Sequence, residues 1–175
     1  MRKRLIISAV LGLGLTIASA HAAAFDVYRA ACLDTSVNVA AIRTAAASQK
    51  WSALTDAERD TLAPGNGARV EGWAIAKDGG RYLVSVSANT AGGGAGDRAG
   101  SAVATCSVLT PKADEAAAVK AYGAYLKRQP GSTEKVDGIA TYTWSTQDAA
   151  SLTLHYLVAG GTLPGLSLSV SSIRK

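Results

Sequence analysis

Residues 139–173 read IATYTWSTQDAASLTLHYLVAGGTLPGLSLSVSSI, and this stretch decides the fold class. Within it, apolar residues alternate with serine and threonine over three runs, at 139–145, 152–158 and 166–173. Alternation with a period of two predicts antiparallel strands that bury one face and leave the other in water. The Gly160-Gly161 pair separates the second run from the third as a turn.

The same pattern occurs upstream and predicts three more strands. Residues 70–77 and 81–88 flank Asp78-Gly79-Gly80, which is a strong hairpin signal. Residues 102–109 predict the next strand, and the glycine-rich segment before it predicts a loop. The total is about six strands.

Helical spacing predicts the remaining elements. Residues 24–33 place Phe25, Tyr28 and Cys32 on one face, and residues 37–50 predict a second helix after the capping residues 34–36. Thr55-x-x-Glu58 is typical of a capping box, and a further helix is expected from Thr110-Pro111 until residues 129–131.

We therefore predict an α+β fold, in which helices pack on one face of an antiparallel sheet. The order of helices and strands also fits a duplicated αβββ unit, because Trp73 and Trp144 each lie in the first strand of a trio. The sequence leaves this alternative open.

The N-terminus has the pattern of a secretory signal peptide. Residues 1–22 read MRKRLIISAVLGLGLTIASAHA, with a basic cluster, an apolar run and a small-x-small end. We expect cleavage before Ala23, a single domain over residues 23–175, and a location in the periplasm or outside the cell. The exported chain is then not expected to contact a membrane.

Composition excludes several classes of protein. The chain has 175 residues, 48% of them hydrophobic, so it is too apolar to be disordered. Removing Arg2, Lys3 and Arg4 from the 18 basic residues leaves 15 against 13 acidic side chains. That balance is too weakly basic for a nucleic-acid-binding protein.

The sequence contains two cysteines, Cys32 and Cys106. In an oxidising compartment such a pair predicts a disulfide, and both residues fall on faces that should meet in the core. Two buried free thiols, or a reactive thiol, are the alternatives.

Serine and threonine, rather than lysine and glutamate, occupy the face of the sheet that we predict to be wet. Hydroxyl residues suit exposed strands, so this composition needs no function. Alternatively, the face is a surface of short side chains on which a protein, a glycan or a second copy packs. The candidate positions are Ser85, Ser87, Thr141, Thr143, Thr153, His155, Ser167, Ser169 and Ser171. Their alternating neighbours, including Leu152, Leu154 and Tyr156, are expected in the core.

No motif for catalysis or for binding a metal or cofactor emerges. His155 is the single histidine after the leader, which excludes sites built from several histidines. No G-x-S-x-G elbow is present, and the glycine run at 92–96 lacks the lysine and helix of a phosphate loop. We assign no catalytic, cofactor-binding or metal-binding residue.

The leader, the segment FDVYRAAC, and the strand ATCSV before a proline-initiated helix together resemble small exported proteobacterial proteins of uncharacterised function. The resemblance implies a location and no activity.

The sequence thus favours an exported, disulfide-stabilised protein that binds or assists an envelope protein or glycan without catalysis. One alternative is a hydrolase that acts on envelope material with Glu71, Asp137 or His155. Another is an enzyme inhibitor that uses residues 89–101 as its probe. The sequence does not give the ligand, the biological process or the oligomeric state.

Overall fold

The computed structural model describes residues 20–63, 70–90, 102–110, 113–161 and 165–174. These ranges form an α+β fold, as predicted. The helices are α1 (Ala20–Tyr28), a π-helical turn (Arg29–Leu33), α2 (Val39–Ser48), α3 (Asp56–Leu62) and α4 (Glu115–Leu126). The strands are β1 (Ser52–Ala53), β2 (Glu71–Lys77), β3 (Gly80–Thr90), β4 (Ala102–Thr110), β5 (Ser132–Val136), β6 (Ile139–Gln147), β7 (Ser151–Gly160) and β8 (Leu166–Arg174).

All eight strands join one antiparallel sheet in the order β1-β2-β3-β4-β8-β7-β6-β5. Each half of the sheet runs in chain order from an edge towards the centre, and the halves meet where β4 pairs with β8. The predicted number of six strands is too low, because the edge strands β1 and β5 were missed. The αβββ unit is also not matched, since each half contributes four strands.

Helix ends follow local side-chain chemistry. The Thr55 side chain accepts from the Glu58 amide and the Glu58 carboxylate accepts from the Thr55 amide, which confirms the predicted capping box. The start of α2 is different from the prediction: Asn38 caps it, through its side chain and the Ala41 amide. Asp34 to Ser36 instead form the turn after the π-helical segment.

The main core lies between the sheet and the layer formed by α1, the π-helical turn, α2 and α4. Its floor includes Val84, Val108, Leu168 and Val170, which are 0–1% exposed. Aromatic rings fill the centre, and Tyr122 of α4 stacks on Trp144 with centroids 4.7 Å apart. The helix layer therefore seals this face over the middle of the sheet.

The expectation that all helices pack on one face is wrong for α3. Leu54 and Leu62 pack with Ala74, Leu83 and Leu109 in a separate cluster. In the sheet these three residues are register partners, one position out of phase with the main core residues Val84 and Val108. Helix α3 thus covers the opposite face, over β2 to β4.

Cys32 and Cys106 form the predicted disulfide, with their Cα atoms 5.5 Å apart. Both residues are fully buried. Because Cys32 belongs to the π-helical turn and Cys106 to β4, the bridge ties the helix layer to the centre of the sheet.

Candidate functional site

Seven of the nine candidate binding residues lie on the side of the sheet away from the main core. Cross-strand register places them there: Ser171 pairs with Thr105, Ser169 with Ser107, and Ser85 with Ser107. The residues on this side are Ser85, Ser87, Thr141, Thr143, Ser167, Ser169 and Ser171. We call the part of this side formed by β4, β8, β7 and β6 the open face.

Thr153 and His155 are the two exceptions, and their predicted placement is wrong. His155 pairs with Trp144 and with Val170, so its side chain faces the helix layer and is 4% exposed. Thr153 points to the same side. The cause lies in β7, which has apolar residues on both faces, Leu157 and Ala159 on one and Leu152 to Val158 in alternation on the other. Its neighbours then set its orientation, because Leu157 pairs with the core residue Leu168.

The open face therefore carries an apolar stripe that the sequence reading placed in the core. Leu152, Leu154, Tyr156 and Val158 run along β7 on this side and are partly exposed. The stripe continues to the sheet edge through Ile139, which is 39% exposed, and Val136, which is 64% exposed. Contiguous exposed apolar residues of this kind are characteristic of interaction surfaces.

Hydroxyl residues flank the apolar stripe on both sides. Ser167, Ser169 and Ser171 of β8 lie on one side, and Thr141 and Thr143 of β6 lie on the other. The Thr105 and Ser171 hydroxyls share a hydrogen bond of 2.9 Å across β4 and β8. None of the open-face positions carries a charge, and depletion of charge is typical of interface cores.

His155 sits in a closed aromatic environment. Its ring meets that of Tyr122 edge-on at 6.0 Å, and its Nδ1 is buried without a hydrogen-bond partner among the described residues. Burial, with a smaller contribution from Arg128, lowers the pKa of His155 to about 4. The ring is therefore neutral at neutral pH.

The structure does not bring Glu71, Asp137 and His155 together. Glu71 lies on β2 in a two-pronged ion pair with Arg43, at 2.6 and 2.7 Å, and hydrogen bonding to Arg43 lowers the pKa of its carboxyl. Asp137 is exposed in the β5–β6 turn, and four strands separate β2 from β6. Of the proposed inhibitor loop, residues 91–101 lie outside the described residues.

Within the described ranges, no group of three or more histidine, cysteine, aspartate or glutamate residues is placed to hold a metal ion. No helix in these ranges has the length and apolar character needed to cross a bilayer.

A broad groove of about 1,090 Å³ lies between α4 and the outer strands β5 and β6. Lys120, Lys127, Arg128 and Lys135 line it, together with Asp114 and Glu115. The Tyr142 hydroxyl donates to the Glu115 carboxylate at 2.5 Å, and Lys135 lies 3.9 Å from the same oxygen. Mixed charges and open access make this groove a less defined candidate than the open face.

Comparisons with models of protein families, with curated proteins and with solved structures return no match to this chain. The site must therefore be interpreted from its own geometry. Sequence reasoning found the hydroxyl residues of the open face but missed the apolar stripe between them. A signal for the stripe was present, since 152–159 contains apolar residues in both phases of the alternation.

Proposed function

We propose that this chain is an exported, disulfide-stabilised binding or accessory protein of the cell envelope, which acts without catalysis through its open face. The observation that carries the proposal is the partly exposed apolar stripe of β7, which lies beyond the part of this sheet side that α3 covers. Export is supported by the leader pattern at residues 1–22 and by the Cys32–Cys106 bridge, which suits an oxidising compartment. Of the leader, residues 1–19 lie outside the described residues.

The occupant that we propose for the open face is a second copy of the chain. Four strands of nine or ten residues give a footprint about 30 Å long and about 19 Å wide, in which α3 covers the end of β4 at Leu109. Because side chains project from the sheet, the accessible area of this footprint is larger than its length times its width. It approaches the roughly 800 Å² per partner that stable complexes bury. Two such faces can pack as the layers of a β-sandwich, about 10 Å apart.

Charge also favours a second copy. A two-fold interface places each residue near its own equivalent, so a charged face would repel itself. The open face has no charged position, and Glu134 of the edge strand β5, which pairs with Thr141, is a charged neighbour on the same side. Self-packing therefore buries leucine, valine and tyrosine without burying an unpaired charge.

The test is the mass of the mature chain in solution, measured by sedimentation equilibrium over a range of concentrations. We expect a dimer for the wild type, and a monomer for Tyr156→Lys and for Ser169→Lys, because each would bury an ammonium group in the interface. Ala47→Lys adds the same charge on the exposed side of α2 and should remain dimeric. Thermal unfolding of each variant checks that the fold is retained.

A wild-type chain that is monomeric at every concentration would overturn the second copy as occupant, as would a dimer that survives both open-face substitutions. A photo-crosslinker at position 156 distinguishes the remaining occupants in the envelope fraction. Crosslinks between copies support the proposal. Crosslinks to a different protein or to a glycan would overturn the second copy as occupant and would instead identify what the open face binds.

A further inference from the structure

A cavity of about 400 Å³ lies on the helix side of the sheet, on the opposite side from the open face. Its floor consists of three cross-strand pairs of β7 and β8: Ser151 with Arg174, Thr153 with Ser172, and His155 with Val170. Tyr125 and Leu126, at the end of α4, form one wall. The other wall comes from the π-helical turn and the residues after it, namely Leu33, Ser36 and Val37.

The backbone of this second wall is strained. Ser36 has φ of 52° and Val37 has φ of 56°, in the left-handed region that β-branched residues rarely enter. Hydrogen bonds from the Val37 amide to the Cys32 carbonyl (3.1 Å) and from the Asn38 amide to the Thr35 carbonyl (3.0 Å) hold the turn. Strained residues and π-helical turns both concentrate at functional sites, and here they occur together beside a cavity.

The residues that line the cavity combine one positive charge with hydroxyl and apolar side chains. Arg174 is the one cation among the lining residues, none of them is acidic, and Arg174 has no ion pair within the described ranges. The lining also includes the hydroxyl residues Ser36, Ser151, Thr153 and Ser172. Leu33, Val37, Leu126 and Val170, with the half-exposed ring of Tyr125, supply apolar walls.

We propose that this cavity binds a small molecule that has an apolar body and one carboxylate. The carboxylate pairs with the planar fork of Arg174, whose geometry suits two parallel hydrogen bonds to one carboxylate. The apolar body lies between Tyr125, Leu126 and Val37. The volume falls within the range of small-molecule pockets, which combine apolar walls with a few polar groups that fix orientation.

His155 contributes shape rather than charge to this site. Its ring forms part of the floor and is neutral at neutral pH, so the cavity keeps a single positive group. The buried Nδ1 has no partner among the described residues, which is unusual because buried polar atoms are normally hydrogen-bonded. This site does not depend on the open face, and either can exist without the other.

The experiment uses the mature chain labelled with ¹⁵N, titrated with hexanoate and with benzoate and followed by the amide resonances. Hexan-1-ol and benzyl alcohol, which lack the carboxylate, are the matched probes. We expect both acids to shift resonances of Val37, Thr153 and Ser172, and to bind at least tenfold more tightly than the alcohols. Arg174→Gln should weaken the acids at least tenfold and leave the alcohols unchanged.

Lys120→Gln removes one charge from the far side of α4 and should bind the acids as the wild type does. Ser172→Trp, which fills the cavity, should abolish binding of acids and alcohols alike. The proposal is overturned if the acids shift no cavity resonance, if acid and alcohol bind equally, or if Arg174→Gln binds the acids with unchanged affinity. Unchanged spectra of the remaining resonances identify folded variants.

Discussion

His155 lies directly across from Trp144 in the β6–β7 ladder, and both side chains are buried under the helices. Both rings contact Tyr122, which stacks on Trp144 and meets His155 edge-on. A protonated imidazole in this position would be an unpaired buried charge. The fold therefore holds the histidine in its neutral form.

This burial predicts a loss of stability in mild acid. The unfolded chain binds a proton at His155 below pH of about 6.5, whereas the folded chain does so only near its pKa of about 4. The free energy of unfolding should thus fall as pH decreases through this window, by about 2 kcal/mol between pH 7 and pH 5. Urea denaturation at the two pH values measures it, and His155→Gln should lack this part of the fall. An equal fall in both proteins would contradict the prediction.

The ion pair of Glu58 predicts that the free energy of unfolding also depends on pH in a more acidic range. Its carboxylate accepts two hydrogen bonds from Arg81 of β3 and completes the capping box of α3, and the Arg81 contact chiefly lowers its pKa to about 2. Glu58→Gln should reduce the free energy of unfolding by about 1 kcal/mol at pH 7, since the pair is near the surface. The difference from wild type should shrink as pH falls from about 4.5 towards 2.

Asp60→Asn is the control for Glu58, because Asp60 lies on the same helix and has no ion pair within the described residues. It should change the unfolding free energy little. Thermal and urea unfolding at pH 7 compare the two variants. Equal effects of the two substitutions would mean that the Arg81 contact contributes nothing specific.

The packing around Gly72 leaves no space for a larger residue at this position. A Cβ at this position would collide with the Val84 carbonyl oxygen of the neighbouring strand and lie 2.8 Å from Leu54 Cδ1. Gly72→Ala should therefore reduce stability by about 1–3 kcal/mol, the usual range for overpacking. At Gly131 a Cβ would have the Thr143 carbonyl oxygen as its nearest neighbour, at 3.7 Å. Gly131→Ala should accordingly be nearly neutral, and comparable urea midpoints for the two variants would refute the argument.

The Cys32–Cys106 bridge predicts a large loss on its removal. Its ends are 74 residues apart, so the chain-entropy model gives about 4.5 kcal/mol. The double variant Cys32→Ala, Cys106→Ala should unfold at a much lower urea concentration than the wild type. Mass spectrometry after alkylation checks the bridge itself. Oxidised, folded protein should take up no alkyl group, and two additions would contradict the disulfide.

The elements with strong local signals were predictable from the sequence. The capping box at Thr55 and the hairpin at Asp78 depend on neighbouring residues, and both are present. The buried faces of β3 and β8 follow from clear alternation. The disulfide follows because helical and strand spacing each direct one cysteine inward.

What the sequence reading missed depends on neighbours distant in the chain. Strand β5, with the sequence STEKV, has no apolar alternation and forms by pairing with β6, although the Asp137-Gly138 turn was an available hairpin signal. Strand β7 has apolar residues in both phases, so its partners decide which face is buried. The cavity at Arg174 could not be predicted, because it arises where four separate segments of the chain meet.

The position of β8 at the middle of the sheet has a consequence for assembly. Among the described strands, backbone pairing connects the first four to the last four only where β4 meets β8, so the two halves of the sheet cannot pair until residues 166–174 are in place. Before that point β4 and β7 are unpaired edges, which are prone to incorrect association. Wherever the chain folds, we therefore expect these two edges to stay exposed until β8 docks between them.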